Sequence, residues 1–477
     1  MGYMEEVKVG QAPLKRFVEL LTPQRADRFR DYVARGVALL EGRTVWNVNS
    51  TAQGGGVAEM LQTLLAYTRA AGVDTRWLVL EGDARFFVLT KRLHNLLHGQ
   101  PGDGGRLGEA ERQGYLLVMQ RNLAALTNRA KPGDLVLLHD PQTAGLVRPL
   151  QKAGCHVVWR CHVGVDHRNQ LTEEGWAFLR PFLEDTEGFV FSREQYAPDW
   201  MPADRLWIIP PSLDPFSAKN APMKAADVNA SLRRAGLVDA EPDHGSYRFV
   251  RRDGTTGGLP PFRALAVEGG QVPRGARVVL QVSRWDRLKD MNGVMRGFAE
   301  HIDELPSDVH LILAGPDVSG VTDDPEGAEV LGACRAMWRS LPIEVAARIH
   351  LCGLPMNDVD ANAHLVNALQ RYADIVVQKS LAEGFGLTVT EPMWKSRSVV
   401  ASAIGGIQDQ IVDGESGVLL PDPTDLEAFA AALVDLFGDP ERADRLGTTA
   451  HDRVQDRFLA DRHLAQYVDL FGSTINR

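Results

Sequence analysis

Short apolar runs alternate with helical periodicities along almost the whole chain, and the alternation occurs twice. In the first half the runs are TVWNVN (44–49), TRWLVLEG (75–82), DLVLLHD (134–140), HVVWRCHV (156–163), GFVFS (188–192) and LWIIPP (206–211). In the second half RVVLQVSR, VHLILAGP, RIHLCGL, DIVVQKS, SVVAS and GVLLP repeat the rhythm. Runs that are apolar at nearly every position predict strands covered on both faces, as in parallel sheets, with a crossover helix between one strand and the next. Residues 57–72 supply such a helix, with Val57, Met60, Leu61, Leu64, Leu65 and Thr68 on one face. The fold class expected is α/β, with two Rossmann-like, doubly wound domains.

A chain of 477 residues exceeds one ordinary core. The Pro- and Ser-rich stretch IPPSLDPFSAKN reads as a hinge, which places the domains at 1–214 and 215–477, with the last helix free to return to the first domain. Segment 222–275 reads as a surface insertion carrying one helix and a short hairpin, or alternatively as a lid. The net charge of −10 argues against a broad nucleic-acid surface but leaves room for a few cations around a phosphorylated ligand. No apolar stretch is long enough to span a membrane and the amino end lacks a signal core, so a cytoplasmic protein is expected. Four cysteines make no disulfide framework, and the ends of CHVVWRCH, drawn out as a strand, lie too far apart to share a metal; none is expected.

The chemistry concentrates at strand ends. After the first run, Gly54, Gly55 and Gly56 precede a helix, so unhindered amides and the positive helix end converge where a phosphate would sit. The dinucleotide fingerprint fails there, because Glu59 stands in place of its third glycine. That counts against an NAD(P)-dependent oxidoreductase, the reading from a different class. His139, Asp140 and Gln142 follow one strand, and Arg160, His162 and Asp166 lie at or after the next; two adjacent polar strand ends suit a sugar. In the second half Arg284 and Lys289 could clamp a diphosphate, or could be absorbed by Asp286 and Asp290 in surface ion pairs. The run Glu383-Gly384-Phe385-Gly386-Leu387 continues to Glu391, setting one carboxylate in a loop after a buried strand and another in the helix that follows. The alternative is two surface carboxylates flanking a helix start, where the macrodipole favours negative charge.

This last run resembles the E-x7-E signature of the retaining nucleotide-sugar glycosyltransferases of family 4. VWNVNSTAQGGGVAEML, RWLVLEG, LLHDPQTAGL, WRCH, PPSLDP, VSRWD, DDPEG and EGFGLTVTEPMWK, in order through residues 44–420, are similar to the trehalose glycosyltransferring synthases and trehalose phosphorylases within it. The resemblance implies the GT-B fold, two Rossmann-like domains facing across a cleft, with an acceptor-binding first domain and a donor-binding second one that close about the hinge. It implies transfer of glucose from a nucleoside-diphosphate glucose, such as UDP- or ADP-glucose, to glucose, giving α,α-trehalose. A phosphorylase and another small sugar acceptor are the alternatives. Glu383 and Glu391 would meet donor sugar and ribose hydroxyls, with Gly384, Phe385, Gly386 and Leu387 beside them. Arg284, Lys289 and the glycine loop would meet the diphosphate, and His162 the sugar, with His139, Asp140, Gln142, Arg160 and Asp166 shaping the acceptor side. No cofactor and no obligatory metal are implied. The partners expected are a sugar and a sugar nucleotide, with neither nucleic acid nor membrane, and a homodimer is left open.

Overall fold

A computed structural model describes residues 4–52, 56–239, 245–251, 254–260, 265–318 and 325–477. The chain divides into two compact units: 1–212 with 458–477, and 213–457. The first holds strands β1 (Glu5–Val7), β2 (Val45–Asn49), β3 (Thr75–Val79), β4 (Leu135–His139), β5 (His156–Cys161), β6 (Gly188–Phe191) and β7 (Leu206–Ile208). They form one sheet in the order β1-β3-β2-β4-β5-β6-β7, parallel except for β1, which runs antiparallel along β3 at the edge. Every residue of β2 and of β4 is buried, as strands covered by helices on both faces must be. Helix Gly56–Ala70 buries Ala58, Met60, Leu61, Leu64, Leu65 and Tyr67. The expected stripe is therefore right at its centre, with Tyr67 buried where Thr68 was expected.

The second unit contains β8 (Arg248–Val250), β9 (Thr256–Gly258), β10 (Ala266–Glu268), β11 (Arg277–Val282), β12 (Val309–Pro316), β13 (Ile349–Leu354), β14 (Ile375–Gln378), β15 (Ser398–Ser402) and β16 (Val418–Leu420). β8 and β9 pair as the expected hairpin, and the others form a sheet in the order β10-β13-β12-β11-β14-β15-β16. Here too the edge strand, β10, is antiparallel and the rest are parallel. Described parts of segment 222–275 do not behave as an appended insertion or a lid. Val228, Leu232, Leu237, Phe249, Leu259 and Val272 are buried in the same core as β11 and β12, and β10 extends the sheet. The apolar spacing of 228–238 is short and broken by Gly236, so its core-forming face is hard to see in a polar stretch.

In each sheet the strand order reverses beside the first strand of its parallel set: between β2 and β4 in one, between β11 and β14 in the other. Open α/β sheets leave a crevice outside the carboxyl ends of the two strands at such a point, because their crossovers depart to opposite faces. The polar strand-end residues singled out above fall largely on these strands.

Residues 458–477 fold with the first unit. Tyr467, Leu470 and Phe471 of helix Ala460–Ile475 pack on Val45, Leu135, Leu137, Val158 and Val190. Arg25 clamps the helix start with two bonds to the Asp461 carboxylate, at 2.6 and 2.8 Å. Among the described residues no helix is long and apolar enough to cross a membrane.

Candidate active site

In the second unit β11 runs into a tight turn. Trp285 is buried with its indole N–H donating to the Pro316 carbonyl at 2.9 Å, and the Asp286 carboxylate accepts the Leu288 amide at 2.8 Å. Arg284 points outward, its side chain 55% exposed and 3.2 Å from Asp286. Lys289 has its carbonyl held by the Gln281 side-chain amide at 2.7 Å, while its ammonium donates to the Glu383 carboxylate. Glu383 lies in the loop after β14, so the turn after β11 and the loop after β14 meet at the switch point. Asp286 thus takes Arg284, as the ion-pair alternative foresaw, whereas Lys289 goes to Glu383 and not to Asp290.

Gly386 makes the Glu383 loop possible. Its φ of +85° lies in the left-handed region, and a Cβ there would come within 3.1 Å of Glu383 Cγ and 3.2 Å of Ile407. That residue ends the loop and helix Leu387–Trp394 begins, with Phe385 buried against it and the Phe385 carbonyl accepting from Gln410 at 2.5 Å. Just over one turn in, Glu391 is almost entirely buried. One of its oxygens sits 3.4 Å from the Lys219 ammonium and the other accepts from the Gln370 amide at 3.1 Å. Behind Gln370 stands Lys395, whose ammonium donates to Gln370 at 2.7 Å, Asn220 at 2.9 Å and the Glu391 carbonyl at 3.1 Å. Burial pushes the Lys395 ammonium well below the ordinary lysine range, and the neighbouring Glu391 charge works against that shift.

In the first unit β4 ends in His139, which is buried. Its Nε2 is 3.3 Å from Asn47 Oδ1 and its Nδ1 is 3.1 Å from His162 Nε2, with the two imidazoles stacked 12° from parallel. Burial lowers the His139 pKa to about 3 and that of His162 well below the usual range, with the Arg160 charge adding to both. Both rings are neutral near pH 7, so His162 donates from Nε2 to His139, which donates in turn to Asn47. Asp140 has φ +66°, unusual for a non-glycine residue. In that conformation its carboxylate accepts the His162 amide at 2.7 Å, and burial raises its pKa to about 7. Gln142 follows in the next turn with its Oε1 buried and unbonded among the described residues. A neutral imidazole, a half-buried carboxyl and an unsatisfied amide oxygen at one strand end are the equipment for binding hydroxyl groups.

Two residues expected in this group are engaged elsewhere. Arg160 is fully buried: its guanidinium donates to the Ile209 carbonyl at 3.0 Å and bonds His463 at 3.0 Å and the Tyr467 hydroxyl. It ties β5 to the C-terminal helix and does not line a sugar site, because alternation along β5 turns its side chain to the face that this helix covers. Asp166 is paired with Arg193. Gly56 opens helix Gly56–Ala70, whereas Gly54 and Gly55, like the first two residues of DDPE (323–326), lie outside the described residues.

Sequence reasoning missed Asn47, Lys219, Gln370, Lys379 and Lys395. A signal existed for two of them. Lysines at the end of an apolar strand (Lys379) and of an apolar helix (Lys395) are rarely buried without a dedicated partner.

The comparisons agree with this layout. The family described as "Trehalose synthase, N-terminal domain" matches residues 47–198, and "Glycosyl transferases group 1" matches residues 358–453. A trehalose synthase of Pyrococcus horikoshii is 31% identical over 474 residues, covering 99% of this chain and 99% of that protein. Another, from Rubrobacter xylanophilus, is 32% identical over 475 residues, again 99% of each. Among solved structures, the α,α-trehalose 6-phosphate synthase of Burkholderia multivorans superposes with a TM-score of 0.64 at 15% identity, covering 91% of this chain and 98% of that one, a likeness of fold. With its two parallel-sheet Rossmann-like units and full-length relatives above 30% identity, the chain belongs to the trehalose synthase family of GT-B glycosyltransferases.

Proposed function

We propose that this glycosyltransferase moves glucose from a nucleoside-diphosphate glucose to the anomeric hydroxyl of a second glucose, with retention, forming α,α-trehalose. The observation that carries the reading is the meeting of Lys289 and Glu383 at the switch point of the second sheet, with Glu391 on the adjoining helix. A cation, a loop carboxylate and a helix carboxylate match the three parts of such a donor: diphosphate, sugar and ribose. Arg284 and Lys289 neutralise the diphosphate as the bond from the anomeric carbon to its oxygen breaks. The acceptor oxygen bonds to the same carbon from the same face, and its proton passes to the departing phosphate oxygen. Catalysis of this kind is positioning plus electrostatic stabilisation, and the two cations supply the positive charge without a metal ion. The acceptor is held by His162, Asp140 and Gln142, whose neutral and weakly acidic groups suit sugar hydroxyls.

The test is direct. Purified protein is incubated with each nucleoside-diphosphate glucose and glucose, and the disaccharide is read by NMR. Trehalose with its 1,1 linkage in the α,α form, released together with the nucleoside diphosphate, is the expected product. Production that instead requires glucose 1-phosphate and releases inorganic phosphate would select the phosphorylase reading. Absence of disaccharide under both conditions, with the donor's glucosyl group passing instead to a different sugar supplied in place of glucose, would overturn the acceptor assignment.

A further inference from the structure

We infer that Lys379 and Asp290 are positioning residues for the leaving-group step, acting through Lys289. The inference rests on the reading above that Lys289 meets the donor diphosphate. Asp290 directly follows Lys289 and adopts φ +50°, ψ +43°, a left-handed conformation that non-glycine residues enter only when their surroundings hold them there. Two bonds do so. One carboxylate oxygen of Asp290 caps the Gly293 amide at 3.1 Å, and the other accepts the ammonium of Lys379. A Cβ at position 293 would stand 2.0 Å from that carboxylate, so the glycine is what lets the cap form.

Lys379 is wholly buried at the end of β14, where it also donates to the Pro423 carbonyl at 2.6 Å. A buried ammonium is retained only where its acceptors are fixed, which makes it a rigid strut. Its place in the fold gives the strut a purpose. The Leu381 amide bonds the Leu288 carbonyl at 2.7 Å, Lys379 bonds Asp290, and Lys289 bonds Glu383. The first two ties flank Lys289 in sequence, at 288 and 290, and neither involves a group assigned to the donor. Only the third is exchanged when a donor enters. The Lys379–Asp290 pair therefore sets where the Lys289 ammonium stands once Glu383 releases it.

The experiment is a double-mutant cycle in the full-length protein: Lys289→Ala, Lys379→Met and the two combined, with kcat, donor KM and the thermal midpoint measured for each. Lys379→Met is expected to lower kcat by roughly 10–100-fold, the scale of a misplacement of about 1 Å, with little change in donor KM. The combined variant should be no slower than Lys289→Ala within about twofold, since residues acting through one group do not add. Losses that multiply would overturn the proposal, because Lys379 would then act independently of Lys289. Full activity of Lys289→Ala would overturn the reading of Lys289 itself, and the proposal with it. Should Lys379→Met not fold, Asp290→Asn, which keeps the shape and the Gly293 cap, provides the same cycle against Lys289.

Discussion

Lys289 and Glu383 are hydrogen-bonded to each other where β11 and β14 end, with side chains only 16% and 12% exposed. Truncating one partner therefore has two consequences: the proposed donor contact disappears, and the remaining charge stays largely buried after losing its partner across the two strand ends. Glu383→Ala is expected to depress kcat and raise donor KM together, because a sugar contact that tightens as the anomeric centre flattens stabilises the transition state more than the ground state. Lys289→Ala should lower kcat by roughly 10²–10³-fold, the range of other electrostatic stabilisers. Steady-state kinetics with the donor varied check both, and near-wild-type values for Glu383→Ala would refute its assignment.

Glu391 calls for the opposite signature. Its carboxylate is held from one side by Lys219 and from the other by Gln370, which Lys395 fixes in turn. A group assigned to the nucleotide end of the donor makes the same contact before and during reaction, so Glu391→Ala should raise donor KM with kcat nearly unchanged. Gln370→Leu, which removes the bond to one Glu391 oxygen and leaves Lys219 at the other, should shift KM in the same direction but less. A fall in kcat equal to that in kcat/KM for Glu391→Ala would assign it to the reacting centre instead.

Much of this arrangement was legible in the sequence because strand ends are where parallel sheets display polar residues. Lys289, Glu383 and Glu391 stand out as charges bordering apolar runs, and glycine at 386 marks the turn between loop and helix. What sequence could not convey was pairing across elements. Nothing in the spacing told that Lys289 bonds Glu383 rather than Asp290, since that depends on β11 lying beside β14. Arg160 misled for a related reason: period-two alternation places it on one of two faces, and only the return of Ala460–Ile475 shows that its face is covered. The antiparallel edge strands β1 and β10 escaped notice because they are three residues long and mixed in polarity.

Asp140 should make the enzyme sensitive to pH. Burial raises its pKa from 3.8 to about 7. Its ionised form accepts the His162 amide and is the form able to accept from an acceptor hydroxyl. The kcat/KM for the acceptor should therefore rise through pH 7, and Asp140→Asn should flatten that limb. The stability consequence has a definite sign. Between the two pKa values the native state binds a proton that the unfolded state has lost, so this group's contribution diminishes as pH rises from about 4 to about 7. Asp140→Asn should thus gain stability relative to the unmodified protein between pH 5 and pH 8, as read by urea denaturation at both. An unchanged difference across that interval would show that Asp140 ionises in the ordinary carboxylate range.

The last twenty residues should be indispensable to the first unit rather than a tail. Helix Ala460–Ile475 covers the apolar face formed by Val45, Leu135, Leu137, Val158 and Val190, and it supplies both His463 and Tyr467 to the Arg160 guanidinium. Removing 458–477 would expose that face and leave Arg160 with the Ile209 carbonyl as its bonded partner. Breaking a buried charged group away from its partners costs about 3–5 kcal/mol, a large share of the roughly 5–15 kcal/mol by which a domain is stable. The truncated chain is expected to lose hydrogen-exchange protection in β4, β5 and β6 while β11 to β15 keep theirs. Tyr467→Phe, which removes one hydroxyl and leaves the packing intact, should cost only about 1–3 kcal/mol and retain protection throughout. Equal protection of β4 to β6 with and without residues 458–477 would mean that the first sheet does not depend on this helix.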